Sequence, residues 1–361
     1  VSIADNLAFL YSLPKMSDFA GSVPATPLQE VVEFGANPGN LAMWCYVPPD
    51  LPSNSPLVVV LHGCTQSAAA FDHGSGWSSL AARHGFAVLM PEQKRTNNPN
   101  LCFNWFDPDK TARGRGEVLS VHRMIATMVR VHKVSARRIY ITGLSAGGAM
   151  ASAMLAAYPE VFSAGAIVAG LPYGVAGNLR EALSAMASGP TLSATQLGNL
   201  VRDASSHRGP WPRISVWHGD ADRTVHPGNA EAIVAQWRDV HALSSSTAMA
   251  ESVVDGQAKR TWTGDAGESL VESYTVSGMA HGVPLCIAGT DDPVGAVGPF
   301  MLEAGIPSTL HIAEFFGLTK APRAQIHNVV AEKADASRTG RQTLDVNAVI
   351  TRALTAAGLM R

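Results

Sequence analysis

From residue 56 onward, short apolar runs alternate with stretches whose apolar positions recur at helical spacing. PLVVVLHG (56–63) is a continuous apolar run that stops at Gly, which is how a strand buried on both faces reads. SGWSSLAARHG (75–85) has helical spacing and also stops at Gly, and FAVLMPE (86–92) is a second buried strand. GEVLSVHRMIATMVRVHKV (116–134) predicts a long helix, with apolar residues at 118, 121, 124, 125, 128 and 131. RRIYITG (137–143) is the next strand and GGAMASAMLAAYP (147–159) the next helix. FSAGAIVAG (162–170), RISVWHG (213–219) and LVESYTVSG (270–278) complete the strands, and PGNAEAIVAQWRDV (227–240) is a helix between the last two. Alternation of this kind predicts an α/β fold, a mostly parallel sheet covered by helices on both faces.

Two segments break the rhythm. Residues 176–209 hold two predicted helices between consecutive strands, a candidate cap insertion over the C-terminal edge of the sheet. Residues 288–308, rich in Gly, Pro and Asp, read as a loop before the packing helix STLHIAEFFGL (308–318). After Lys320 the chain turns polar, then ends in LDVNAVITRALTAAGLMR (344–361), an amphipathic helix. The pattern divides the chain into an α/β domain, 1–320, and a C-terminal helical extension, 321–361. That tail docks on the body or pairs with a second subunit in a homodimer.

Composition narrows the classes of function. In 361 residues the hydrophobic share is 46%, enough for a sizeable core, and the charged share 16%, below the usual share of about 25%. A net charge of −2 gives no pull toward nucleic acid or an anionic membrane, and no apolar run reaches the roughly 18 residues of a spanning helix. The chain opens VSIADNLAFLYSL, without an initiating Met and without a basic segment and cleavage site, so no signal peptide is in view. Cys45, Cys64, Cys102 and Cys286 include no CxxC pair, which argues against a zinc site or a redox pair. Their even number fits two disulfides and four buried thiols equally.

The segment YITGLSAGGAMAS (140–152) places Ser145 between two glycines, with a strand before it and a helix after. That is the context a G-x-S-x-G nucleophile turn requires. Side chains at 143 and 147 would collide with the neighbouring strand and helix, and the sharp turn lifts the hydroxyl out of the sheet edge. A Ser hydroxyl needs a base to take its proton, and the base a carboxylate to orient it, in the chain order Ser, acid, His. WHGDADRTVHP (217–227) leaves a strand and offers Asp220 and Asp222. Asp222, deeper in the loop, is the expected acid, and Asp220 the brace of the turn. Of twelve histidines, His281 in SGMAHGVPL (277–285) has the correct order and place. His84, His122, His132, His241 and His311 fall in or beside helices, His62 and His218 precede Gly at strand ends as structural groups, and His226 follows Asp222 too closely. Oxyanion donors are expected from the backbone N–H of Ala146, directly after the serine, and of Cys64 in LHGCTQ (61–66).

LHGCTQ, GWSSLAARHGFAVLMPEQ, NLCFNWF, GRGEVLSV, YITGLSAGGAM, YPEVFSAGAIVAGLPYG, WHGDADRTV and GMAHG together resemble the polyhydroxybutyrate (PHB) depolymerase type of esterase, within the α/β-hydrolase superfamily. The resemblance covers roughly residues 40 to 320. It implies Ser145, Asp222 and His281 as catalytic triad, the Cys64 amide as oxyanion donor, and a Cys64–Cys102 disulfide that braces its loop. Secreted depolymerases of this group carry a linker and a polymer-binding domain, whereas about forty residues and no Thr- or Ser-rich tract follow the body here. Soluble oligomers, amorphous granules and other esters therefore stand beside solid polyester as substrates.

Trp77, Trp105, Phe106 and Tyr173 are expected to wall the substrate site with the apolar surface that aliphatic polyesters favour. The first reading is thus a serine hydrolase of a polyester or its oligomers, with no metal and no organic cofactor. A second keeps the triad but cuts an anionic polyamide such as poly(aspartic acid), with Lys94, Arg95, Lys110, Arg113 and Arg115 as a basic groove. A third is a non-catalytic binding module on the same fold. The disulfide and the missing Met lean toward an extracellular or periplasmic place; a granule-associated form in the cytoplasm is the other.

Overall fold

Strand β1 (Gln29–Glu30) is followed by β2 (Ala42–Tyr46), β3 (Leu57–Leu61), β4 (Ala87–Glu92), β5 (Ile139–Leu144), β6 (Ala164–Val168) and β7 (Arg213–Gly219). After them come β8 (Met249–Val254), β9 (Gln257–Thr263), β10 (Ser269–Val276), β11 (Val283–Leu285) and β12 (Met301–Glu303). These come from a computed structural model that describes residues 26–243, 249–290 and 292–319. The extension 321–361, where the sequence predicts an amphipathic helix, lies outside the described residues, as does the opening segment.

The first ten strands form one sheet in the order β1-β2-β4-β3-β5-β6-β7-β10-β9-β8. From β4 to β10 every neighbouring pair is parallel, and the two strands on each flank are antiparallel. The six parallel strands are the six that the apolar runs predict. The flanking strands escape the pattern: β8, for instance, is exposed along almost its whole length. The expected loop at 288–308 also needs correction, because Met301–Glu303 within it pairs in parallel with Val283–Leu285.

The five β3 residues are all buried and feed two cores by turns. Leu57, Val59 and Leu61 join one core with Val118, Met124 and Trp237, whereas Val58 and Val60 join the other with Leu80, Trp217 and Phe316. The first core is covered by helices α4 (Gly116–His132), α5 (Ala146–Ala157) and α8 (Gly228–Val240), the second by α1 (Ala68–Ser75), α2 (Trp77–His84) and α9 (Ser308–Phe315). The short α3 (Pro108–Thr111) precedes α4, and α6 (Leu179–Ser188) and α7 (Ala194–Asp203) lie between β6 and β7. Five of the six predicted apolar positions of α4 are buried, and the sixth, Val131, stands exposed in its last turn.

Candidate active site

Residues Cys64, Ser145, Asp222 and His281 follow β3, β5, β7 and β10, all at the C-terminal ends of parallel strands. Open α/β sheets bind ligands along that edge. Ser145 sits between β5 and α5 with φ 57° and ψ −119°, a conformation a non-glycine residue holds at a cost of about 1–3 kcal/mol. Its amide donates to Val168 O at 2.9 Å, tying the corner to β6. The flanking glycines are steric requirements. A Cβ on Gly143 would lie 2.5 Å from the Gly147 carbonyl, and one on Gly147 would strike the backbone oxygens of Leu61 and His62.

The acid and imidazole loops are packed backbone against backbone. A Cβ on Gly219 would meet the Met279 carbonyl, the Ala221 amide donates to that same oxygen at 3.2 Å, and Asp220 Oδ1 accepts from Gly278 N at 2.6 Å. Asp220 is thus the brace, and Asp222 faces the histidine. Asp222 Oδ1 accepts the amides of Thr224 at 2.8 Å and Val225 at 2.9 Å, while Oδ2 lies 2.7 Å from His281 Nδ1. Burial works against its charge, but hydrogen bonds and attraction from His218 and His281 outweigh it and hold the carboxyl well below the usual carboxylate range. His281 presents its ring edge-on to Phe300, with centroids 6.1 Å apart. Ser145 and His281 both line a small recess of about 20 Å³ beside Cys64, Gln66 and Met186. Among the described residues no hydrogen bond joins the serine hydroxyl to the imidazole, as is common before substrate arrives.

Burial takes His62 down to about 4, against a smaller opposing effect of its bond to the Gly63 carbonyl. The hydrogen on Nδ1 is therefore shared with Gly63 O at 2.7 Å, and Nε2 accepts from Gln93 N at 3.1 Å. Cys64 is disulfide-bonded to Cys102, and Thr65 N donates to Asn100 O at 2.7 Å, so the loop after β3 is stitched to residues 100–102. Buried Glu117 holds that second loop by accepting from Gln93 Nε2 at 2.9 Å and Asn104 N at 3.0 Å; burial raises its carboxyl, and these bonds oppose the rise. Among the described residues no acceptor takes the amide of Cys64. Ala146, first residue of α5, likewise has no acceptor within its helix. Cys45 and Cys286 are free thiols.

A cavity of about 240 Å³ opens beside Ser145, Ala146 and the disulfide. Trp105 and Phe106, packed edge-to-face at 5.7 Å, wall one part with Asn98, Pro99 and Asn100; Leu179, Ala182, Leu183 and Met186 of α6, with Leu171 and Val225, wall another. Two expected wall residues are elsewhere. Trp77 is 2% exposed and lies in the core between Phe86 and Phe316, because it opens helix α2 rather than a loop. Tyr173 has both backbone groups clamped by Gln236 and packs against the core. None of the five basic residues lines the cavity: Arg113 pairs with Glu160, Arg115 with Asp109, and Arg95 donates to Pro99 O. The α6 contributions were hidden in the sequence, where only the helix was legible. Among the described residues no group of three or more His, Cys, Asp or Glu is placed to hold a metal ion.

A serine turned out of a parallel sheet at a strand-to-helix corner, with an Asp-held histidine from later strands, defines an α/β-hydrolase. The acetyl xylan esterase of Aspergillus awamori shares this fold with a TM-score of 0.68 and 24% identity, over 83% of this chain and all of that one. The chain belongs to the esterase PHB depolymerase family, whose model matches residues 41–255, and it is a carboxylic-ester hydrolase. Poly(3-hydroxyalkanoate) depolymerase C of Paucimonas lemoignei is 41% identical over 292 residues, which span 81% of this chain and 70% of the relative. Feruloyl esterase B of Thermothelomyces thermophilus is 34% identical over 228 residues, 61% of this chain and 77% of the relative.

Proposed function

We propose that the protein cleaves the esters of a poly(3-hydroxyalkanoate) or its oligomers through an acyl-enzyme on Ser145. His281 takes the Ser145 proton as Oγ attacks the ester carbonyl. The amides of Cys64 and Ala146 hold the oxygen as it becomes negative, and His281 then gives the proton to the departing alcohol. Water, deprotonated by the same imidazole, releases the acid and restores the hydroxyl. Asp222 keeps the ring in one tautomer and stabilises the imidazolium.

The observation that carries this reading is the buried Asp222 carboxylate 2.7 Å from His281, in the recess that Ser145 also lines. The substrate class is supported by the Paucimonas relative and by a cavity without a charged side chain on its wall. Such a wall favours an uncharged aliphatic ester over the anionic polyamide. Helix α6 acts as a cap over the acyl group, and a disulfide beside the site suits an oxidising compartment outside the cytosol. Mass spectrometry of products from poly(3-hydroxybutyrate), its soluble oligomers and poly(aspartate) tests the assignment. Hydroxybutyrate units from the first two are expected, and release from poly(aspartate) alone overturns it.

A further inference from the structure

His218, by sequence a structural residue at a strand end, stands against the acid. It lies in β7, two residues before the turn and 3% exposed. The loop folds back so that His218 Nε2 lies 3.2 Å from Asp222 Oδ2 and 2.8 Å from Val225 O. Both neighbours are acceptors, so the hydrogen sits on Nε2; Val225 O is the better-aligned acceptor, and Asp222 Oδ2 lies within reach of the same N–H. Among the described residues Nδ1 is buried with no partner, so both polar contacts of the ring run through Nε2 to the acid loop.

An ionised carboxylate has about four acceptor positions. On Asp222 the amides of Thr224 and Val225 take Oδ1 and His281 takes Oδ2, and the His218 N–H, 3.2 Å from the same Oδ2, approaches the fourth position. We propose that His218 is a positioning residue for ester cleavage, a second imidazole that fixes the plane of the Asp222 carboxylate and tempers its pull on His281. The proposal rests on the triad reading above. Without this donor a buried lone pair faces nothing, the carboxylate can rotate away from His281, and its charge draws more strongly on the His281 proton. The acid limb of the kcat/KM profile then moves to higher pH, because the base is protonated sooner. The neighbouring charged groups do not offset this. Asp220 is engaged by Gly278, Arg223 and His226 are exposed, and Thr275 and Val276 of β10, in register with His218 and Gly219, carry no charge.

The test uses the full chain and p-nitrophenyl butyrate. His218→Met removes the donor, and His218→Gln restores an N–H at similar reach. His218→Met is expected to lower kcat about 10- to 100-fold with KM within about threefold, and to raise the acid limb by about half a pH unit. His218→Gln is expected to recover most of the lost kcat and to return the limb. A folded His218→Met with kcat within about threefold of wild type overturns the proposal, as does a Gln variant as slow as Met with the limb unmoved. If His218→Met does not fold, the Gln variant decides alone: near-native kcat and limb support the role, and their loss refutes it. Failure of the triad reading is recognised separately, by turnover that persists in Ser145→Ala.

Discussion

At residue scale the site turns on one buried charge. Asp222 is ionised well below the ordinary carboxylate range, against the cost of burial, because imidazole donors hold it. A carboxylate with a depressed folded value stabilises the protein above the unfolded value of about 3.9, and that share is lost as pH falls through the folded value. Wild type is therefore expected to melt above Asp222→Asn at pH 7, and the gap to narrow steadily below about pH 4 in thermal scans. A constant gap from pH 7 to pH 3 would contradict this. The same substitution is expected to cut kcat by about 10⁴-fold in steady-state assays, since an amide cannot hold the required tautomer. Ser145, Asp222 and His281 were legible because chain order and strand ends restrict where an acid and a base can stand. His218 was not, because its partner is created by a loop that returns on itself. Trp77 was misplaced for another reason: an aromatic residue between small polar ones reads alike whether it opens a core helix or lines a cleft.

At element scale the corner between β5 and α5 admits no side chain at its second glycine. Gly147→Ala would press a methyl into the carbonyls of Leu61 and His62, and pushing β3 away displaces the Cys64 loop as well. The variant is expected to lose more than about 100-fold in activity, or to fail to fold; soluble expression and turnover measure both. Helix α6 turns four small or apolar residues toward the cavity, so it should set acyl size. Leu183→Phe is expected to lower the ratio of p-nitrophenyl octanoate to acetate hydrolysis by about tenfold or more. An unchanged ratio would remove α6 from the acyl site. The parallel strands were readable because both faces are buried and the runs stay apolar. The flanks and the separate β11–β12 pair were not, since β1 has two residues, β11 and β12 three each, and β8 is exposed along almost its whole length without polar alternation.

At the scale of the whole molecule, the sheet brings residues 64, 145, 222 and 281 to one edge, and the cavity there carries no charge on its wall. Hydrolysis of a neutral soluble ester is therefore expected to change less than about twofold between 50 and 500 mM salt, whereas dependence on the basic residues would show as a steep fall. Parallel topology and two covered faces could be argued from the order of strands and helices alone. The cavity itself could not, because its wall is assembled from α6, the 98–106 loop and Val225, which meet only in three dimensions. The most direct measurement is a fluorophosphonate adduct located by peptide mass spectrometry. One stoichiometric adduct, on Ser145, is expected, together with loss of both adduct and turnover in Ser145→Ala. An adduct on another residue, or a Ser145→Ala variant that still turns over p-nitrophenyl butyrate at near wild-type rate, would contradict it.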